Sequence, residues 1–392
     1  MKGKWSLGVS ILLTSLIVGI LFRMSPATIL KNILLASIHP TTLQLIALVI
    51  LVIFLGNLMK ERGNLENMVS SLEALIRNRR LRFTIPPAFM GLLPMPAGAL
   101  FSAPMVEEIG RKTGISPENK TLLNYWFRHL WEYMWPLYPS LILAAALLNV
   151  KVRDIILAQY PLTLAAIAAG FIFCMRRGSS PPPHRSFKPL KKAHFTKEIR
   201  ALFFNIWPVL AIILLVLIFK VELLVAILVT VLIVLVFSKR KGYKILASLK
   251  KSLSLSMILL IISVMAFKRV FEVSGAFSVI PIIFSNWGLS PLIILFFAPF
   301  LAGLSTGITS AFVGMTFPLL LPFIVKSQPN LTYSMFAYAG GFAGVLLSPF
   351  HLCLILSREY FKADLKRLYK LLSLPVAFVA LVALLIVGLN GF

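Results

Sequence analysis

Twice in this chain a long apolar stretch breaks at a cluster of proline, glycine and hydroxyl residues. The first break runs from Gly91 through Pro94, Pro96, Gly98 and Ser102 to Pro104. The second runs from Gly303 through Ser305, Thr306, Gly307, Thr309, Ser310 and Gly314 to Pro318. Such runs are loops in a water-soluble protein, but here sequence suited to lipid flanks both. Backbone at membrane depth leaves the helix only where protein or a water-filled cavity satisfies its polar groups. Paired interruptions in corresponding positions of two halves point to a solute-binding site.

Composition supports the membrane reading. The chain has 392 residues, 59% hydrophobic and 13% charged, with a mean hydropathy of +0.91. Apolar windows of about 18 residues or more recur along it, which is the signal of spanning helices. The net charge of +26 sits in short loops between these windows. Those loops lack interleaved aromatics, so the charge points to topology and anionic lipid, not to nucleic acid. Cys174 and Cys353 lie in apolar segments without metal-type spacing and read as small core residues, with no metal expected. The N-terminus, Lys2 and Lys4 followed by an apolar run to Phe22, reads as a retained first helix.

The expected fold is an all-α polytopic membrane protein with about nine spanning helices and two re-entrant hairpins in two inverted repeats. The spans are expected near 5–22, 41–59, 121–149, 154–175, 203–219, 221–238, 254–271, 332–356 and 372–391, and the hairpins at 83–105 and 290–324. If each hairpin enters and leaves on one side, 30 of the 39 basic residues are cytoplasmic, 8 are outside and Arg128 is within a span. The N-terminus is then inside the cytoplasmic membrane and the C-terminus outside. A segment that crosses twice would give the same count.

The halves match at a nearly constant offset of 212–213 residues. Gly63 pairs with Gly275, Pro94 with Gly307, and Trp135–Tyr138 with Ser348–His351. This divides the chain into a first repeat (1–175), a basic linker and connecting helix (176–219), and a second repeat (220–392). The extra span inverts the second repeat relative to the first, which is the arrangement that supports alternating access.

Chemistry concentrates in the two proline-broken spans. In the first, Arg128 and Glu132 share a helical face, and His129 neighbours Tyr133. Charge at bilayer depth usually faces a cavity or a partner. Arg128 can clamp an anion beside a protonatable Glu132 or His129; the alternative is an ion pair that neutralises itself. In the second, Ser348 and His351 flank the break, and the small residues at 340, 341 and 344 permit close helix packing. At the hairpin tips, Pro94, Gly98, Ser102, Ser305, Thr306, Gly307, Thr309 and Ser310 could bind solute through helix termini, carbonyls and hydroxyls. The hydroxyls could instead bond back within their own helices. No zinc-protease, P-loop or nucleophile-elbow motif is present, so no catalytic residue and no enzyme activity are expected.

Two repeats, each with a hairpin followed by a broken helix, resemble the ion-transporter superfamily of dicarboxylate, citrate, arsenite and gluconate permeases. The string from Leu93 to Pro104 is similar to that of the domain-of-unknown-function 401 membrane family. The resemblance implies secondary transport of a small anionic solute, coupled to Na⁺ or H⁺, commonly by a homodimer. It implies no other cofactor, and lipid and solute as partners. The tips lack the Ser-Asn-Thr motif of sodium–dicarboxylate carriers, which leaves proton coupling through Glu132, His129 or His351 as plausible as sodium coupling. The alternatives are an intramembrane enzyme acting on a lipid-linked substrate and a membrane subunit of a larger assembly.

Overall fold

A computed structural model describes residues 7–76, 78–95, 98–111, 114–175, 192–237 and 245–390. Lys2, Lys4, Arg77, Pro96, Ala97, Lys112 and most of the basic linker lie outside these residues. All the regular structure described is helical, and no strand occurs among the described residues.

The first half holds α1 (Leu7–Leu21), α2 (Pro26–Ser37), α3 (Pro40–Glu61), α4 (Asn64–Leu75), α5 (Arg79–Met90) and α6 (Ala99–Arg111). It continues with α7 (Pro117–Arg128), a 3₁₀ turn (Leu130–Tyr133), α8 (Pro139–Leu148) and α9 (Val152–Ala169), which a π turn extends to Cys174. A connecting helix, α10 (Lys192–Ile213), runs on through a second π turn to Ile218. The second half holds α11 (Leu223–Val236), α12 (Ile245–Ser252), α13 (Leu255–Val273), α14 (Ala276–Asn286) and α15 (Pro291–Thr306). It ends with α16 (Thr309–Ile324), α17 (Leu331–Leu347), α18 (Leu352–Phe361) and α19 (Leu365–Leu389).

Among the described residues, six helical stretches are long and apolar enough to cross a membrane: Pro40–Glu61, Val152–Cys174, Phe195–Ile218, Ile245–Val273, Leu331–Phe361 and Leu365–Leu389. The expected spans at 5–22 and 221–238 form helices of 15 and 14 residues. The one expected at 121–149 is broken, because Pro136 and Pro139 cannot donate within a helix. The chain is a multi-pass helical membrane protein.

Element order repeats. Each helix from α3 to α9 has a counterpart from α13 to α19, and α1 and α2 correspond in order to α11 and α12. Backbone punctuation repeats too. Gly63 and Gly275, at the α3–α4 and α13–α14 corners, both have positive φ (70° and 80°). Asn149 and Lys362 both close their helices in the left-handed region at φ 55° and 56°. Packing is reciprocal: α8 lies on α16 and α18 on α6, while α9 lies on α17 and α19 on α7. Each broken helix is therefore clasped by elements of the other half.

Candidate functional site

Both hairpin regions are helix–break–helix units, with α5 packed on α6 and α15 on α16. The last carbonyls of α5 and α15 have no partner within their own helices. Side chains of the broken helices supply donors at matching positions. Trp135 Nε1 donates to Leu92 O (2.8 Å), and its counterpart Ser348 Oγ donates to Leu304 O (2.7 Å). Tyr138 Oη donates to Gly91 O (2.7 Å), and its counterpart His351 Nδ1 to Gly307 O (2.7 Å). Trp131 Nε1 caps Ala88 O (2.8 Å) in the first half only.

The breaks are also joined across the halves. Tyr125 Oη donates to Leu346 O at the end of α17 (3.0 Å), and Tyr338 Oη donates to Glu132 O in the first break (2.9 Å). Tyr125 and Tyr338 are 213 residues apart. Each tyrosine thus ties its own half to the interruption of the other.

Arg128 is buried at the C-terminal end of α5, where the helix dipole favours a cation. It donates to Tyr138 Oη (2.8 Å) and to the carbonyls of Leu93 (3.3 Å) and Met95 (3.4 Å), on either side of Pro94. Its approach to Glu132 is 3.7 Å, too long for a direct charge-assisted hydrogen bond. Arg128 is therefore chiefly a carbonyl cap and only secondarily an ion-pair partner. Its Nε is buried with no hydrogen-bond partner among the described residues. Gly98 sits directly against it: a Cβ there would lie 2.8 Å from Nε.

His129 does not pair with Tyr133 as the spacing predicted. α7 ends at Arg128 and tightens into the 3₁₀ turn, which rotates Tyr133 onto Phe342, with ring centroids 4.7 Å apart. His129 instead lies on Tyr125 (4.5 Å) and faces His351, their Nε2 atoms 3.1 Å apart. Glu132 Oε1 is 3.7 Å from His129 Nε2. The thiol of Cys353 belongs to the same cluster, within 4.8 Å of both imidazoles.

The tip hydroxyls divide. Ser102 donates to Asn124 Oδ1 (2.6 Å), while Asn124 Nδ2 donates to Ala99 O and Ser357 Oγ, so Ser102 belongs to a buried polar network. Ser305 and Thr306 bond back to Ala302 O (3.1 and 2.7 Å), the local reading of such residues. Thr309 is half-buried, and Ser310 lines a small void with Pro139 and Leu143. The structure thus gathers Arg128, His129, Glu132, Ser348 and His351 with the Gly98 and Gly307 tips, and leaves Ser305 and Thr306 bonded to their own helix. A separate cleft lined by Arg62, Asn64, Lys197, Arg200 and Asn205 contains none of these residues.

Asn124, Tyr125 and Tyr338 were not singled out from sequence, and Cys353 read there as a small core residue. The repeat offset could have found the two tyrosines. Nothing local marks Cys353, whose partner histidines lie two residues and more than two hundred residues away.

Residues 2–389 match the model of a family described as protein of unknown function (DUF401). The chain belongs to this family. Comparison of the sequence with curated proteins finds no match. Among solved structures, the fold is similar to that of the Alcanivorax borkumensis YdaH transporter, described as having an unusual topology. The similarity has a TM-score of 0.67 at 14% identity and covers 98% of each chain. At that identity the likeness extends to the fold.

Proposed function

We propose that this protein is a secondary transporter that moves a small anionic solute across the cytoplasmic membrane by alternating access. The observation that carries the reading is the buried Nε of Arg128, which has no partner among the described residues, beside Gly98 at the N-terminal end of α6. A fixed cationic donor and the start of a helix together favour a negative group. The repeated break-and-cap arrangement supports the mechanical half of the proposal. Two like units, each clasped by the other, can rock against one another around a site between them. In this reading the two helix–break–helix units are re-entrant, the halves are inverted, and the N-terminus is cytoplasmic. The coupling ion is a proton or sodium, with Glu132 as the proton carrier in the first case, and the working unit is a homodimer. The fold shared with a protein described as a transporter favours the same class.

Flux into proteoliposomes tests it, using a panel of small carboxylates and oxyanions under imposed proton and sodium gradients. The expected result is gradient-driven uptake of at least one anion, abolished in Arg128→Gln. Uptake should fall at least tenfold in Gly98→Ala, whose methyl group would crowd the guanidinium. Gradient-independent behaviour across the panel, or full uptake in both variants, would overturn the reading.

A further inference from the structure

Three side chains from opposite halves converge where the broken helices meet. His129 belongs to the first break, and His351 and Cys353 to the second. The two Nε2 atoms face each other at 3.1 Å. Each ring's other nitrogen is already committed: His129 Nδ1 lies 2.6 Å from Tyr125 O, and His351 Nδ1 2.7 Å from Gly307 O. A carbonyl oxygen only accepts, so each Nδ1 carries the ring hydrogen. In neutral imidazoles both Nε2 atoms are then bare lone pairs. Two bare acceptors at this distance repel unless a positive species lies between them.

We propose that His129, His351 and Cys353 bind a thiophilic transition-metal cation of the Zn²⁺ type, with the fourth position left to water. The sulfur and both imidazoles offer their ligand atoms within 4.8 Å of one another. The Glu132 carboxylate oxygen is 3.7 Å from His129 Nε2. Zinc bonds of about 2.0–2.1 Å to nitrogen and about 2.3 Å to sulfur space tetrahedral donors roughly 3.3–3.7 Å apart. The two Nε2 atoms, 3.1 Å apart, are already close to that range, and the Cys353 sulfur, within 4.8 Å, closes on them by side-chain rotation. The backbone carbonyls on both Nδ1 atoms are the second-shell acceptors that fix the tautomer and orientation of metal-binding histidines. The thiolate offsets one charge of the ion, with the Glu132 carboxylate nearby beside His129, and the Cys353 thiol loses its proton to solvent on binding. His129 and Cys353 are buried, and His351 is largely so.

The ion would tie one half to the other through their breaks. It would therefore stabilise the arrangement in which the breaks touch. This inference stands on the donor geometry and not on the transport reading; either can fail alone.

Full-length protein, purified in detergent and stripped with chelator, is titrated with Co²⁺ as a spectroscopic probe and then with Zn²⁺. The expected result is one equivalent of Co²⁺ per chain, with intense tetrahedral visible bands and a near-ultraviolet thiolate-to-cobalt band. Zn²⁺ should displace it and raise the thermal midpoint. Cys353→Ser should remove the thiolate band and weaken binding about tenfold or more, and His129→Gln or His351→Gln should remove the visible bands. Cys174→Ser, which alters the other buried cysteine, should change nothing. Should the histidine variants fold poorly, Zn²⁺ protection of Cys353 from a thiol reagent in the Cys174→Ser background gives the same answer. Absence of stoichiometric Co²⁺ and Zn²⁺ binding near neutral pH, or a thiolate band that survives Cys353→Ser, overturns the proposal. A proton shared between the two Nε2 atoms would then account for their approach.

Discussion

In the first half, α5 meets the broken helix through large side chains: Trp131, Trp135, Tyr138 and Arg128 reach across and cap its carbonyls. In the second half, α15 meets the broken helix through bare backbone. A Cβ on Gly340 would lie 2.4 Å from Phe296 O, and one on Gly344 would lie 2.0 Å from Phe300 O. The contact is the same at both places. Gly91 packs on the carbonyl of Arg128, and Gly303, 212 residues later, on that of Gly341. The repeat thus preserves where backbone must be approached and capped while changing the chemistry that does it. Arg128 has Gly341 as its counterpart, and Tyr138 has His351. Charge at the breaks is therefore confined to the first half, and the second half contributes an imidazole to the shared centre.

That contrast can be broken or sharpened by substitution, with thermal unfolding in detergent as the measure. The largest effect is expected for Arg128→Leu, which uncaps Leu93 and Met95 and leaves Glu132 without its cation; the cost is about 3–5 kcal/mol. A near-neutral result would mean that the first half does not depend on its charge. Next comes Gly344→Ala, at about 3 kcal/mol, since the added methyl meets backbone that cannot step aside. Tolerance there would show that the second joint is loose and not bare by necessity. Trp135→Phe and Ser348→Ala each orphan one carbonyl and should cost about 2 kcal/mol apiece. Unequal losses would show that equivalent positions do unequal work. Smaller effects are expected for Tyr338→Phe, about 1.5 kcal/mol because it also loses its contact with Ser140 Oγ, and for Tyr125→Phe, about 1 kcal/mol for a single cross-half hydrogen bond. A double variant that costs more than the sum of the two would reveal coupling between the clasps.

Much of this was legible before any coordinates. The interruptions, the 213-residue offset, and the concentration of polar residues at 128–132 and 348–351 follow from patterning that lipid imposes, since apolar length and proline position act locally. The small second pair of hairpin hydroxyls, Ser305 and Thr306, read as candidate ligands because sequence cannot tell a hydroxyl aimed at solute from one bonded to its own helix. The His129–Tyr133 pairing assumed an unbroken α-helix, and the 3₁₀ turn after Arg128 removed it, while Arg128 and Glu132 stay paired at 3.7 Å.

By itself, the sequence determined a helical membrane chain with polar interruptions at 128–136 and 348–351, because those features depend on residue order along one segment. Only the tertiary structure decided that Tyr125 reaches Leu346, that Tyr338 reaches Glu132, and that His129, His351 and Cys353 share one point. The contacts among them that cross between the halves join residues separated by 206 to 224 positions. Their partners are chosen by how one half packs on the other, which no local pattern encodes.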